Sequence, residues 1–301
     1  MAQYDVLIVD DDAPTRDGLR ELLALNGFSV DTAQDGLQAL ATIRGHDVGV
    51  VLLDVGLPGM SGLEVLARCG QEKRRTKVVV VTGLDTPETV LGSLRQHAYD
   101  FLSKPIDPAH LVDTVRRALA ASTPPAMQVL SARPEWVELL VPCTREAVDR
   151  LQSFLSQLEI DLPQDVRESV GLAFRELLLN GIEWGGQLNP ARTVRVACLR
   201  TRRMLLYRIA DPGPGYSLED LSHAAGSDAS APLGHDLVRE EKGLRPGGFG
   251  LVLIRAIADE LMYNEQRNEV VFVKYLDEPG DQCVRTGADG PGVTAATPTP
   301  A

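Results

Sequence analysis

Along residues 1–122, short apolar runs ending in acidic or polar residues alternate with amphipathic stretches. The runs are VLIVD (6–10), FSVDTA (28–33), VGVVLLD (48–54), KVVVVT (77–82) and YDFLSK (99–104). Several are too short and too β-branched for helices, and too uniformly apolar for strands exposed on one face. Parallel strands covered on both sides fit them best. A representative stretch between them is 15–25, where Leu19, Leu22 and Leu23 form an inner face and Pro14 suits a first helical turn. Five such units predict a doubly wound α/β domain with its ligand site at the carboxyl ends of the strands.

After residue 122 the pattern changes. STPPAMQVLSARP (122–134) carries three prolines and few residues suited to a packed core, which predicts a linker over 123–134, with some order at 127–130. A short strand (136–141) and an amphipathic helix (144–158) follow, the helix marked by Val148, Leu151, Phe154, Leu155 and Leu158. A second helix, around 169–186, is apolar on most sides, with Val170, Phe174, Leu177, Leu178 and Ile182 at its back. At 100° per residue, Ser169, Glu176, Asn180 and Glu183 share one narrow arc. ARTVRVACLR and RMLLYRIAD read as a hairpin turning near Thr201 and Arg202. A helix over 251–261 and a strand over 269–275 complete a mixed sheet under three helices, an α/β two-layer sandwich. The composition of 277–301 predicts a disordered tail.

The strand ends of the first half carry Asp10, Asp11, Asp54, Thr82 and Lys104. Converging carboxylates repel one another unless a cation sits among them, and an all-oxygen site suits Mg²⁺. The hydroxyl and the ammonium could then hold the oxygens of a phosphoryl group. Any one of these positions is explained by the habit of strands ending in polar residues; five gathered at four strand ends are not. In the second half, Glu176 and Asn180 at i, i+4 are from spacing alone equally a solvated helix face. DPGPG (211–215) alone is an ordinary turn, and PGGFGL (246–251) opens an apolar helix, whose N-terminus and glycines suit phosphate. Lys242 and Arg245 are nearby cations, as readily solvated loop charges as γ-phosphate ligands.

The VDDD, LLDVGLPGMSGLEVL, VTG and KP signatures closely resemble the receiver domain of two-component response regulators. The resemblance implies that Asp54 is the phosphoacceptor and that Asp10, Asp11, Asp54 and the Gly56 carbonyl hold Mg²⁺. It also implies that Lys104 pairs with the phosphoryl group, that Thr82 moves toward it, and that Phe101 is the switching aromatic. Lys104-Pro105 matches a pair that is often cis. Readout is expected on the fourth and fifth helix–strand units, over about 86–119.

The helix with Glu176 and Asn180, then DPGPG, then PGGFGL, resemble in that order the GHKL (Bergerat) ATP-binding domains, and in particular the anti-sigma-factor serine kinases. The resemblance covers 135–276. It implies ATP and Mg²⁺ as cofactors, with Asn180 on the Mg²⁺ that bridges the phosphates. Glu176 is then the base for the attacking hydroxyl, and Asp211 accepts from the adenine amine. Gly213 and Gly215 admit base and ribose, and Gly248 and Gly250 admit phosphate. Residues 216–246 are expected to form a lid. Gly181 and Trp184 depart from the serine-kinase pattern, where alanine and histidine are commoner; Trp184 leaves the docked partner open.

The formal net charge of −12 is spread over both halves, with 12 basic against 17 acidic residues before Ser122 and 18 against 25 from it onward. No basic stripe argues for nucleic acid, and KRRTK (73–77) reads as a solvated loop. Four scattered cysteines give no disulfide or zinc pattern. No apolar run reaches the ~18 residues of a membrane helix, so a cytoplasmic protein without membrane contact is expected. None of the five histidines falls on a dimerisation helix ahead of the ATP-binding domain, which disfavours a self-phosphorylating histidine kinase. The expected partners are a cognate histidine kinase as phosphodonor and a protein substrate, or a sigma-like or anti-anti-sigma-like regulator; a homodimer is compatible. The expected function is a serine/threonine kinase set by Asp54. The alternative is a nucleotide-dependent module that sequesters its partner with little or no transfer.

Overall fold

The computed structural model describes residues 3–72, 76–83, 86–121, 127–215 and 250–276. The first half forms a parallel sheet in the order β2-β1-β3-β4-β5, from β1 Gln3–Val9, β2 Val30–Ala33, β3 Asp47–Leu53, β4 Lys77–Thr82 and β5 Asp100–Ser103. Helices α1 Ala13–Leu25, α2 Gly36–Gly45, α3 Gly62–Glu72, α4 Pro87–Arg95 and α5 Pro108–Ala120 lie between and after the strands. Val6, Leu7, Val50, Val51, Val79 and Val80 are all buried, as strands covered on both faces require. Asp12, Asp35, Thr86 and Asp107 cap their helices by accepting from backbone amides one turn in.

The second half is a six-stranded sheet in the order β10-β11-β9-β8-β7-β6. Its strands are β6 Gln128–Arg133, β7 Trp136–Pro142, β8 Thr193–Arg200, β9 Met204–Ala210, β10 Glu260–Tyr263 and β11 Glu269–Tyr275. Every pairing is antiparallel, so the expected mixed sheet is corrected to an antiparallel one. Short connections make hairpins of β6–β7, β8–β9 and β10–β11, while β7–β8 and β9–β11 pair across intervening helices. The sheet begins at Gln128, inside the stretch read as linker, and β6 pairs with β7 through a register shift between Val129 and Ser131. The helix expected over 251–261 spans Gly250–Ile257 among the described residues (α8), and its last expected apolar position, Leu261, belongs to β10 instead.

One face of this sheet carries α6 Arg145–Leu158, α7 Gln164–Asn180 and α8. Phe174 of α7 packs against Tyr207 of β9 in a tilted pair with ring centroids 4.8 Å apart, and the Tyr207 ring centre lies 6.1 Å from that of Phe272 of β11. This buried aromatic row fixes the long helix over the middle of the sheet. The helix then widens into a single π turn, Gly181–Gly185, closed by the Gly186 amide on the Gly181 carbonyl at 2.8 Å. Among the described residues no helix is long and apolar enough to cross a membrane.

Candidate functional site

At the carboxyl end of the parallel sheet, Asp10, Asp11 and Asp54 bring carboxylate oxygens within 4.8 Å of one another. Asp10 is 2% exposed and its Oδ1 accepts from the Asp12 amide at 2.9 Å. The Lys104 ammonium donates to Asp10 Oδ2 at 2.7 Å and to Asp54 Oδ2 at 3.0 Å. Lys104-Pro105 is cis. Burial raises the Asp54 pKa, but the Lys104 ammonium, the Gly56 amide and the Thr82 hydroxyl outweigh it and hold the carboxyl below its ordinary value. Asp54 is therefore an ionised carboxylate with its charge already paired to Lys104. A hard cation with oxygen ligands fits three carboxylates this close, so the donor set suits Mg²⁺. Gly62 permits the arrangement, since a Cβ there would overlap the Asp54 carbonyl. Sequence reasoning gave this glycine no role of its own, because that role depends on α3 starting against the Asp54 backbone. Phe101 is fully buried and faces the second half of the chain, with its ring 6.3 Å from that of Phe154.

In the second half, α7 carries Glu176 and Asn180 one turn apart, both half-buried. Gly250, which opens α8, lies beside the first of these: a Cβ there would come 2.6 Å from Glu176 Oε2. Asp211 follows β9 and lies over the other end of the helix. A Cβ on Gly181 would meet Asp211 Cβ at 3.5 Å, and one on Gly185 would overlap the carboxylate. Asp211 Oδ1 accepts from the Gly213 amide at 2.8 Å, and burial pushes the Asp211 pKa up. Thus Glu176, Asn180, Asp211, Gly213 and Gly250 gather on α7 and its π turn. Gly215 has φ +82, and a Cβ there would overlap the Gln266 carbonyl. Gly248, the expected lid (216–246), Lys242 and Arg245 lie outside the described residues.

Two members of the expected polar arc point elsewhere. The Ser169 hydroxyl donates to the Val166 carbonyl at 3.0 Å, back onto its own helix. Glu183 is 4% exposed and accepts from Arg145 Nε at 3.1 Å. The extra residue of the π turn rotates the chain beyond Asn180, so a 100° projection fails there. Sequence reasoning also missed Asn268, whose carbonyl accepts from the Asp211 amide at 2.8 Å and whose Nδ2 donates to the Gly213 carbonyl at 3.1 Å. It pins the DPGPG turn from the β10–β11 hairpin, and a single Asn in a turn gives no sequence signal of that.

Residues 6–116 match the response regulator receiver domain family, and residues 141–274 match the histidine kinase-like ATPase domain family. The DNA-binding response regulator MtrA of Mycobacterium tuberculosis (strain H37Rv) is 33% identical over 208 residues, which are 69% of this chain and 89% of that protein. The C4-dicarboxylate transport transcriptional regulatory protein DctD of Pseudomonas aeruginosa is 40% identical over 119 residues, 39% of this chain but 26% of that protein. A CheY-like receiver domain from Methanospirillum hungatei is 30% identical to this chain and covers 39% of it and 94% of that structure, with a TM-score of 0.38. The chain belongs to the response regulators: a receiver domain fused to a histidine kinase-like ATPase domain. DNA binding is a property in the name of MtrA; this chain carries the ATPase domain instead.

Proposed function

We propose that the chain is a signalling protein in which phosphorylation of Asp54, by a cognate histidine kinase, regulates an ATP-dependent protein serine/threonine kinase of the anti-sigma-factor type. The observation that carries the reading is that the Glu176 carboxylate lies against Gly250 while Asp211 is held over the next turns of the same helix. One rigid element thus sets the distance between the end that recognises adenine and the end where the γ-phosphate reacts.

On this reading the Asp211 carboxylate accepts from the adenine amine, and the close approach of Gly213 and Gly185 leaves it little freedom to turn away. The N-terminus of α8 faces the phosphates with its amides and dipole. Asn180 would hold Mg²⁺, which supplies charge neutralisation on the triphosphate. Glu176 takes the proton of a serine or threonine hydroxyl on the partner. That oxygen bonds to the γ-phosphorus as the bridge to the β-phosphate breaks, and ADP leaves with the electron pair. In the receiver, Asp54 attacks a phosphohistidine in the same sense. Asp10, Asp11 and the Gly56 carbonyl would hold Mg²⁺ there, and Lys104 and Thr82 face the new phosphoryl oxygens.

The test is incubation of the full chain with γ-labelled ATP and candidate partner proteins. Base-labile, acid-stable label on a partner serine or threonine, lost in Glu176→Ala, is the expected result. Stoichiometric nucleotide-dependent binding without label would instead identify a sequestering module. Acid-labile label would identify transfer to histidine.

A further inference from the structure

The two domains are joined by more than their linker. Helix α6 of the ATPase domain lies along β5 and α4 of the receiver, and the hydrophobic core runs without a break from Leu91, Leu94 and Phe101 to Leu151, Phe154 and Leu158. Within this apolar contact sits a charged side chain, Arg150, only 5% exposed. Its Nε donates to the Tyr99 carbonyl at 2.7 Å, and its guanidinium lies 4.7 Å from the centre of the Tyr99 ring. The Tyr99 hydroxyl donates to Glu146 Oε1 at 2.6 Å. The Ser153 hydroxyl donates to the Phe101 carbonyl at 3.0 Å. Glu146, Arg150 and Ser153 are spaced i, i+4, i+7 and form one stripe of α6.

A neighbouring stripe of the same helix faces α7. Arg175 Nη1 donates to Asp149 Oδ1 at 2.5 Å and to Gln152 Oε1 at 3.0 Å. Arg175 is the residue before Glu176. Helix α6 is therefore clamped on one side to the strand that leads into Lys104 and on the other to the helix that carries the candidate base. Apolar burial alone would glue the domains and tolerate sliding. Hydrogen bonds from a buried guanidinium and a hydroxyl to the carbonyls of Tyr99, just before β5, and Phe101 within it do not, because a shift of the strand would leave buried polar atoms unpaired.

We propose that α6 reads the state of the receiver, with Arg150 as the positioning residue. Adding a phosphoryl group at Asp54 redistributes the bonds of Lys104 and Thr82 at the ends of β5 and β4. The resulting displacement of β5 is carried by Tyr99 and the Phe101 carbonyl to α6, and by Asp149 and Gln152 through Arg175 to Glu176. This rests on the reading of Asp54 as the control point of the ATPase domain, and it names the elements through which control passes.

The experiment measures the affinity of the full chain for a nonhydrolysable ATP analogue with Mg²⁺, with and without phosphoramidate loading of Asp54. Asp54→Ala serves as the control for direct effects of the donor. The parent is expected to show a ratio of about fivefold or more between the two states, in the ordinary range of coupling between sites. Arg150→Met, and separately the hydroxyl deletions Tyr99→Phe with Ser153→Ala, should bring that ratio close to one. Affinity in the unloaded state should stay within about twofold of the parent, as expected for a group that couples rather than binds. The hydroxyl-deletion pair removes two oxygens only, so it keeps the test open if the buried arginine is needed for folding. A ratio that persists in both sets of variants would overturn the relay and leave Asp54 control standing. A parent ratio of one would overturn both. Absence of label transfer with the ratio intact would remove the kinase reading alone, because the measurement requires no chemistry.

Discussion

Gly185 and Gly181 lie on the same turn and face the same residue, Asp211, yet alanine should have opposite effects at the two. At Gly181 a Cβ would find Asp211 Cβ, Ile209 and Val194 at 3.5–3.6 Å, ordinary contact distances. The backbone there is helical, with φ −61 and ψ −38, so alanine removes unfolded-state entropy without strain and should stabilise the domain by about 0.4–1 kcal/mol. At Gly185 the same methyl would occupy the space of the Asp211 carboxylate, with the Gly213 amide bonded to that carboxylate from the other side. The carboxylate must then swing out or the π turn must shift. Overpacking of this kind costs about 1–3 kcal/mol. Losing a hydrogen bond from the adenine amine to a charged acceptor costs about 1.5–3 kcal/mol. At 1.4 kcal/mol per tenfold, Gly185→Ala should therefore weaken ATP binding by about 10- to 100-fold. Gly181→Ala should leave it within about threefold, since a methyl at contact distance removes no bond. Urea denaturation and calorimetric titration with ATP and Mg²⁺ give the two quantities for each variant. If Gly185→Ala folds and binds ATP as tightly as the parent, Asp211 is not the base-recognising group and the site must be sought elsewhere.

Glu176→Gln keeps the shape against Gly250 but cannot take a proton; label transfer should fall by about 10²–10⁴, the usual range for a general base, while nucleotide binding is retained. Lys104→Met removes the cation that now pairs Asp10 and Asp54. Mg²⁺ should bind the receiver about tenfold more tightly, by calorimetry, given an attraction of roughly 1–4 kcal/mol between charges 4 Å apart, while phosphoryl loading of Asp54 should slow. Glu159 is 3% exposed, and burial pushes its pKa from 4.5 up to about 8. A carboxyl with a raised folded pKa stabilises fully below its unfolded value and loses that contribution as pH rises through the folded one. Stability should thus decline between about pH 4.5 and 8. Glu159→Gln should raise the denaturation midpoint more at pH 9 than at pH 6, and equal effects at both would show that Glu159 is charged in the folded chain.

The receiver half was legible because parallel strands covered on both faces must be uniformly apolar, so charged and polar residues at the strand ends stand out. Asp10, Asp54, Thr82 and Lys104 announce themselves by breaking those runs. In the second half, the hairpin of β8 and β9 and the buried back of α7 follow from period alone. Strand β10 did not, since Leu261 and Met262 continue the helical spacing of α8 and only pairing with β11 decides their state. Strand β6 lay hidden next to prolines and a register shift.

Which residue types could handle phosphate and metal was written in the chain; which of them meet was decided by tertiary structure. The π turn took Glu183 out of the arc and gave it to Arg145, because one added residue per turn alters every later direction. Periodicity picked out only the apolar side of α6, and Glu146, Arg150 and Ser153 are residue types of ordinary surfaces. Only the docking of β5 turns them into a buried contact, because whether an amphipathic helix meets water or a neighbouring domain depends on surfaces far away in the chain.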